Sequence, residues 1–151
     1  MQPEDKELGQ DETLDILLIE DDPGDVTIFE ESIKSAHTRG EFPSFKLICK
    51  GTMRDTIDFL SSHSPSLVII DLTLPDCYGF ESFQSVRHLV PNTPIVVMTS
   101  EECAQLGLRS VRSGAQDYLI KGNVEPTALP RILLYAVERQ KIRNQSIKYE
   151  L

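Results

Sequence analysis

No run of apolar residues in this chain approaches the roughly 20 needed to cross a bilayer, which excludes a membrane-spanning role. The N-terminus, MQPEDKELGQDET, is acidic and polar, so it is neither a signal peptide nor a transit peptide, and a cytoplasmic location is expected. Cysteine is sparse and unpaired. Cys49, Cys77 and Cys103 are an odd number, widely spaced, with no CxxC motif and no histidine at ligand spacing, so they read as reduced cytosolic thiols rather than a disulfide scaffold or a zinc site. Positive charge is lacking where nucleic acid would need it. The net charge of -9 lies wholly in residues 1–25, which hold ten acids against one lysine, and a phosphate backbone would be repelled there. Direct nucleic-acid binding is not expected. Internal repeats and low-complexity segments are also absent, and His37, His63 and His88 sit in polar stretches as surface residues.

What is present is one domain. At 151 residues, 40% hydrophobic and 26% charged, the chain has room for a single soluble core. Residues 1–13 lack periodicity and are expected to be a loose acidic tail, 14–140 form the domain, and 141–151 extend the last helix as a connector, with a disordered tail as the alternative.

The domain is organised around SLVIIDLTLP, Ser66 to Pro75. Leu67 to Ile70 is an unbroken, largely branched apolar run, which suits a strand buried on both faces of a parallel sheet. Asp71 ends it. Ile16 to Ile19 runs into Glu20-Asp21-Asp22, Ile95 to Met98 into Thr99-Ser100, and Tyr118 to Ile120 into Lys121. If these strands are parallel, acids, an aspartate, a hydroxyl and an amine converge on one edge, where open α/β sheets bind their ligands.

Between the strands lie helical patterns. Asp22-Pro23-Gly24-Asp25 reads as a helix start with Asp22 as N-cap and Pro23 first in the helix, followed by Val26, Phe29, Ile33 and Ala36 at helical spacing. Phe45 to Lys50 reads as a strand near the sheet edge, with Leu47 and Cys49 on one face. Met53, Ile57 and Leu60 mark a short helix, and Phe80, Phe83 and Val86 open the next. Glu101 to Ser113 carries a weak stripe of Cys103, Leu106, Leu108 and Val111, and Pro126 is expected to open the final helix. Leu129, Ile132, Leu133 and Ala136 face the core there, while Ile142 and Ile147 recur beyond it. Five strands alternating with five helices predict a doubly wound α/β fold. The flavodoxin-like strand order 2-1-3-4-5 would bring the strands ending in Glu20-Asp21 and Asp71 together at the switch point.

Such an edge can seat magnesium, which needs only one or two carboxylates and keeps several waters. Asp21 and Asp71 are the expected direct ligands, Glu20 acts through water, and the backbone carbonyl of Thr73 completes the protein share. Asp71 can then serve as a nucleophile toward phosphorus, with Lys121 and the Thr99 hydroxyl meeting phosphoryl oxygens.

Taken together, ILLIEDDPGD, VIIDLTLPDCYGF, VVMTS and GAQDYLIKG resemble the response-regulator receiver domain of two-component signalling, over roughly Leu14 to Gln140. The resemblance implies Asp71 as phosphoacceptor, Glu20 and Asp21 as the acidic pair, Thr99 as switch hydroxyl, Tyr118 as switch aromatic and Lys121 as the family's lysine. Thr73 and Glu101 match positions that tune dephosphorylation. Implied too are magnesium, a histidine kinase or phosphotransfer protein as donor, and a downstream output domain or protein. The chain would catalyse only its own phosphorylation and dephosphorylation. A dimer partner packing on the last helix is a further option.

Two departures stand out. Gly122 follows Lys121 where members usually have proline, often with a cis bond, and the Gly40 to Ser44 connection is long. The rival enzyme reading is a haloacid-dehalogenase-like phosphohydrolase, which typically has a second acid two residues past its nucleophile, where this chain has Thr73. A flavodoxin is excluded by acids where the cofactor phosphate would sit. A pseudo-receiver, a binding module with a dead site, is opposed by the intact Asp71 and Lys121.

Overall fold

The computed structural model describes residues 13–150, and side chains as far as residue 146. Of the expected acidic tail, residues 1–12 lie outside the described residues, as do the side chain of Ile147 and the last residue of the extension.

The strands are β1 (Leu14–Ile19), β2 (Phe45–Lys50), β3 (Leu67–Asp71), β4 (Ile95–Thr99) and β5 (Asp117–Ile120). They form one parallel sheet in the expected order, β2-β1-β3-β4-β5. The helices are α1 (Pro23–Thr38), α2 (Met53–Leu60), α3 (Phe80–Leu89), α4 (Ala104–Arg112) and α5 (Leu129–Glu150). Every residue of the central β3 is buried. Because side chains alternate along a strand, the apolar runs split between two cores. Ile16, Leu18, Ile69 and Val96 pack with Phe29 and Ile33 of α1 and Leu133 of α5. Leu17, Ile19, Val68, Ile70 and Val97 pack with Phe83 and Val86 of α3 on the opposite face. Each fully buried side chain of this size stabilises by about 1.5–3 kcal/mol, so the two cores anchor the strand ends firmly.

The α1 start is as read from the sequence. Asp22 is extended and its Oδ1 accepts the Gly24 N–H at 3.2 Å, with Pro23 in the first helical turn. The final helix starts later than expected. Pro126 lies in a turn closed by Ala128 N–H on the Glu125 carbonyl, and its own carbonyl accepts the Ser32 hydroxyl at 2.7 Å. The proline inside the first helical turn is Pro130, where a missing N–H costs nothing.

The segment after β4 also differs. Glu101–Cys103 is a short 3-10 turn, and α4 begins only at Ala104. Its buried residues are Gly107 and Ser110, while Leu106 and Val111 are partly buried and Leu108 is exposed. Leu108 falls off the inward stripe because, at 3.6 residues per turn, it stands about 100° around the helix from Gly107, which faces inward. On β2, Cys49 is exposed, since it lies at the sheet edge. The long connection after α1 carries Phe42 into the core, and the Phe42 carbonyl meets His37 Nδ1 at 2.9 Å.

Gln140 of α5 is buried and accepts from the Gln116 amide, and Asn144 donates to the Asn92 carbonyl at 3.2 Å. The last helix is thus tied to the domain one turn past Gln140. Ile142 is exposed. Among the described residues, no helix is long and apolar enough to cross a membrane.

Candidate functional site

Register places the site. Ile19 lies opposite Ile70, Asp71 opposite Met98, and Thr99 opposite Ile120. The residues at or just past these pairs, Glu20, Asp71, Thr99 and Lys121, therefore line one carboxyl edge of the sheet. Glu20 and Asp71 are buried, Thr99 is fully so, and Asp21 is exposed at the rim.

Carboxylate oxygens of Glu20, Asp21 and Asp71 lie within 4.8 Å of one another. Burial, and then the neighbouring Asp71 carboxylate, push the Glu20 pKa up to about 9. For Asp71, burial raises the pKa, but the neighbouring Glu20 carboxyl, the Lys121 ammonium and the Thr73 donors outweigh it and hold the group below the usual carboxylate range. Glu20 Oε2 is buried without any hydrogen-bond partner. A buried orphan oxygen is costly, and a cation is the kind of partner that would satisfy it. An all-oxygen donor set of this kind suits a hard divalent cation such as magnesium.

Lys121 crosses from the end of β5 to this cluster. Its Nζ donates to Glu20 Oε1, to Asp71 Oδ2 at 2.9 Å and to Asp25 Oδ2 at 2.9 Å. The other oxygen of Asp71, Oδ1, accepts the Thr73 N–H at 3.0 Å and the Thr73 hydroxyl at 2.8 Å. Both Asp71 oxygens are thereby fixed in direction. All peptide bonds are trans among the described residues, and Gly122 takes φ +88°, a region glycine enters without strain. The loop after Lys121 is thus shaped by glycine rather than by a cis bond.

The Thr99 hydroxyl donates to the Cys103 carbonyl at 3.2 Å. Tyr118 packs its ring directly over Gly107 of α4. Glu101 lies exposed in the 3-10 turn. The Cys103 sulfur is 3.7 Å from the Tyr78 hydroxyl, and Tyr78 bridges to Thr73 across the loop after β3.

Two site residues escaped sequence reading. Asp25 looked like an ordinary first-turn acid of α1, and only its helical position, one turn on from the acidic strand end, hinted at more. Asp76 carries no local signal at all. Its carboxylate accepts the first N–H groups of α2, from Met53 at 2.7 Å and Arg54 at 3.0 Å, and so pins the loop that carries Thr73.

A five-stranded parallel sheet in this order, with an acidic cluster and a lysine at its carboxyl edge, defines a phosphoacceptor signalling module. The profile of the response regulator receiver domain matches residues 16–133, and the chain belongs to that family. It is 39% identical over 71 residues to the regulatory protein LuxO of Vibrio cholerae, covering 47% of this chain and 16% of LuxO. Over 121 residues it is 32% identical to the swarming motility regulation protein RssB of Serratia marcescens, covering 80% of this chain and 50% of RssB. The chain thus spans half or less of these two relatives. Among solved structures, NtrX from Brucella abortus aligns at TM-score 0.78 and 16% identity, over 93% of this chain and 30% of that one. A CheY-like receiver domain protein from Methanospirillum hungatei aligns at TM-score 0.68 and 20% identity, over 87% and 99%.

Proposed function

We propose that Asp71 is the phosphoacceptor and that Glu20, Asp21, Asp71 and the Thr73 carbonyl hold magnesium beside it. The observation carrying this reading is the fixed Asp71 carboxylate, ionised and buried, between Lys121 on one oxygen and Thr73 on the other. Magnesium would supply charge neutralisation at the phosphoryl oxygens. Asp71 forms the new oxygen–phosphorus bond as the donor's phosphorus–oxygen or phosphorus–nitrogen bond breaks, and the leaving group departs with that electron pair. Lys121 gives one ammonium N–H to a phosphoryl oxygen. Thr99 releases the Cys103 carbonyl and donates to a second oxygen, and Tyr118 follows into the space Thr99 vacates. Thr73 and Glu101 set access of water to the acyl phosphate.

The donor is a histidine kinase or phosphotransfer protein, and the readout is an output domain or partner protein. The phosphohydrolase reading is weaker, because the residue two past Asp71 is a threonine committed to holding Asp71 itself. Intact mass after incubation with acetyl phosphate and magnesium tests the proposal. Wild type should gain one alkali-labile phosphoryl group and Asp71→Asn none. Equal uptake by both would refute it.

A further inference from the structure

Asp25 is the one partner of Lys121 that stands outside the acidic cluster. An ammonium has three N–H donors, and Glu20, Asp71 and Asp25 take all three. A phosphoryl group on Asp71 carries about -1.5 to -2 charge at neutral pH, in place of the carboxylate's own charge, and needs one of those donors. Some carboxylate must therefore yield.

The three differ in what can take their place. Glu20 and Asp71 lie within the cluster that would share a cation, whose charge would offset theirs. Asp25 is not in that cluster. It is built into the first turn of α1, behind the Asp22 cap and Pro23, where the helix dipole favours its charged form. A merely dipole-complementing acid would point to water, yet the Asp25 carboxylate is only 36% exposed and reaches Lys121 at 2.9 Å. Contacts with Glu20 and Lys121 hold its pKa below the usual range, so it stays ionised through the physiological window.

We propose that Asp25 is a positioning residue that competes with the incoming phosphoryl group for the Lys121 ammonium, and so restrains phosphorylation of Asp71. The proposal rests on Asp71 being the phosphoacceptor. Removing the Asp25 charge leaves Lys121 anchored by Glu20 and Asp71 but frees one N–H for phosphate. It also removes a negative charge facing an anionic donor. A single partly exposed charge of this kind shifts a rate by about three- to tenfold.

The test uses the full chain as wild type, Asp25→Asn and Asp25→Glu at saturating magnesium. Intact-mass time courses with acetyl phosphate give the phosphorylation rate, and beryllofluoride titration gives affinity for a phosphoryl mimic. Asp25→Asn should be phosphorylated about three- to tenfold faster and bind beryllofluoride tighter by a similar factor. Asp25→Glu, which keeps the charge, should return toward wild type, and the Asn advantage should shrink as salt rises. A structural role alone would instead slow both variants. An Asp25→Asn rate equal to or below wild type would overturn the proposal. A wild-type chain that takes up no phosphate would overturn the Asp71 reading and this proposal with it, an outcome distinct from altered rates at a working site.

Discussion

Gly107→Ala opposes two effects whose sizes the structure sets. Gly107 lies in the interior of α4, where alanine is ordinarily more stable by about 0.8–1 kcal/mol. A methyl there, however, would sit 2.6 Å from Tyr118 Cδ2, 2.8 Å from Cγ and 2.9 Å from Cβ. Turning the side chain about its Cα–Cβ bond can relieve the first two contacts. The third cannot be relieved that way, because Cβ is fixed to the backbone of β5. Carbon atoms pack at about 3.5–4.0 Å, so α4 must move off β5 by roughly 0.6 Å or more. Overpacking of this kind costs about 1–3 kcal/mol, and the net is a loss of up to about 2 kcal/mol despite the better helix former.

Urea denaturation reads that loss directly. Gly24→Ala is the control, since its methyl would meet only the Asp22 carboxylate, Oδ1 at 3.6 Å and Oδ2 at 3.8 Å, both ordinary contacts. Gly107→Ala should shift the midpoint down, and the Tyr118 ring resonances should move with it. A Gly107→Ala chain at least as stable as wild type, with Tyr118 resonances unchanged, would refute the close-packing argument.

Asp21→Ala should abolish magnesium binding while leaving stability nearly unchanged, whereas Asp22→Ala should cost about 0.5–2 kcal/mol with binding intact; paired magnesium titration and denaturation of both variants check this, and the reverse pattern would sink the assignment. Asp76 has its pKa held below the ordinary carboxylate value by the Met53 and Arg54 N–H groups. A group depressed in the folded state contributes stability above its unfolded pKa of about 3.9, and that contribution is lost as pH falls through the folded value. Acid unfolding of Asp76→Asn should therefore show a shallower decline below about pH 4 than wild type, and superimposable acid titrations would count against the cap.

β1, β3, β4 and β5 and their shared edge were legible because each ends where an unbroken apolar run meets a polar residue, and parallel topology then forces Glu20, Asp71, Thr99 and Lys121 together. Asp22 was legible because proline follows it. What escaped had no periodic or local cue. Leu108 belonged to a weak stripe, and nothing local says that α4 buries Gly107 and Ser110 instead. Pro126 read as a helix start, but a proline carbonyl serves equally in a turn, and here Ser32 of α1 takes it. Asp76 reaches α2 from a loop more than twenty residues away, a pairing visible only after β1, β2 and β3 are side by side.

The site's electrostatics explain why so many acids can share one edge. Glu20, buried and beside Asp71, has its pKa pushed up to about 9, so near neutrality it retains a proton when no cation is present. Asp71, steadied by Thr73 and Lys121, keeps its charge in the same place. The two carboxyls therefore divide the work by environment. The one with donors on both oxygens stays an anion, as the proposed phosphoacceptor needs, and the one with an orphan oxygen holds a proton that a cation would displace. Lys121 needs no such adjustment, since three carboxylates around it outweigh its own burial and drive its pKa further upward. Its charge is permanent at any working pH, so what can vary through a phosphorylation cycle is only which oxygens it touches.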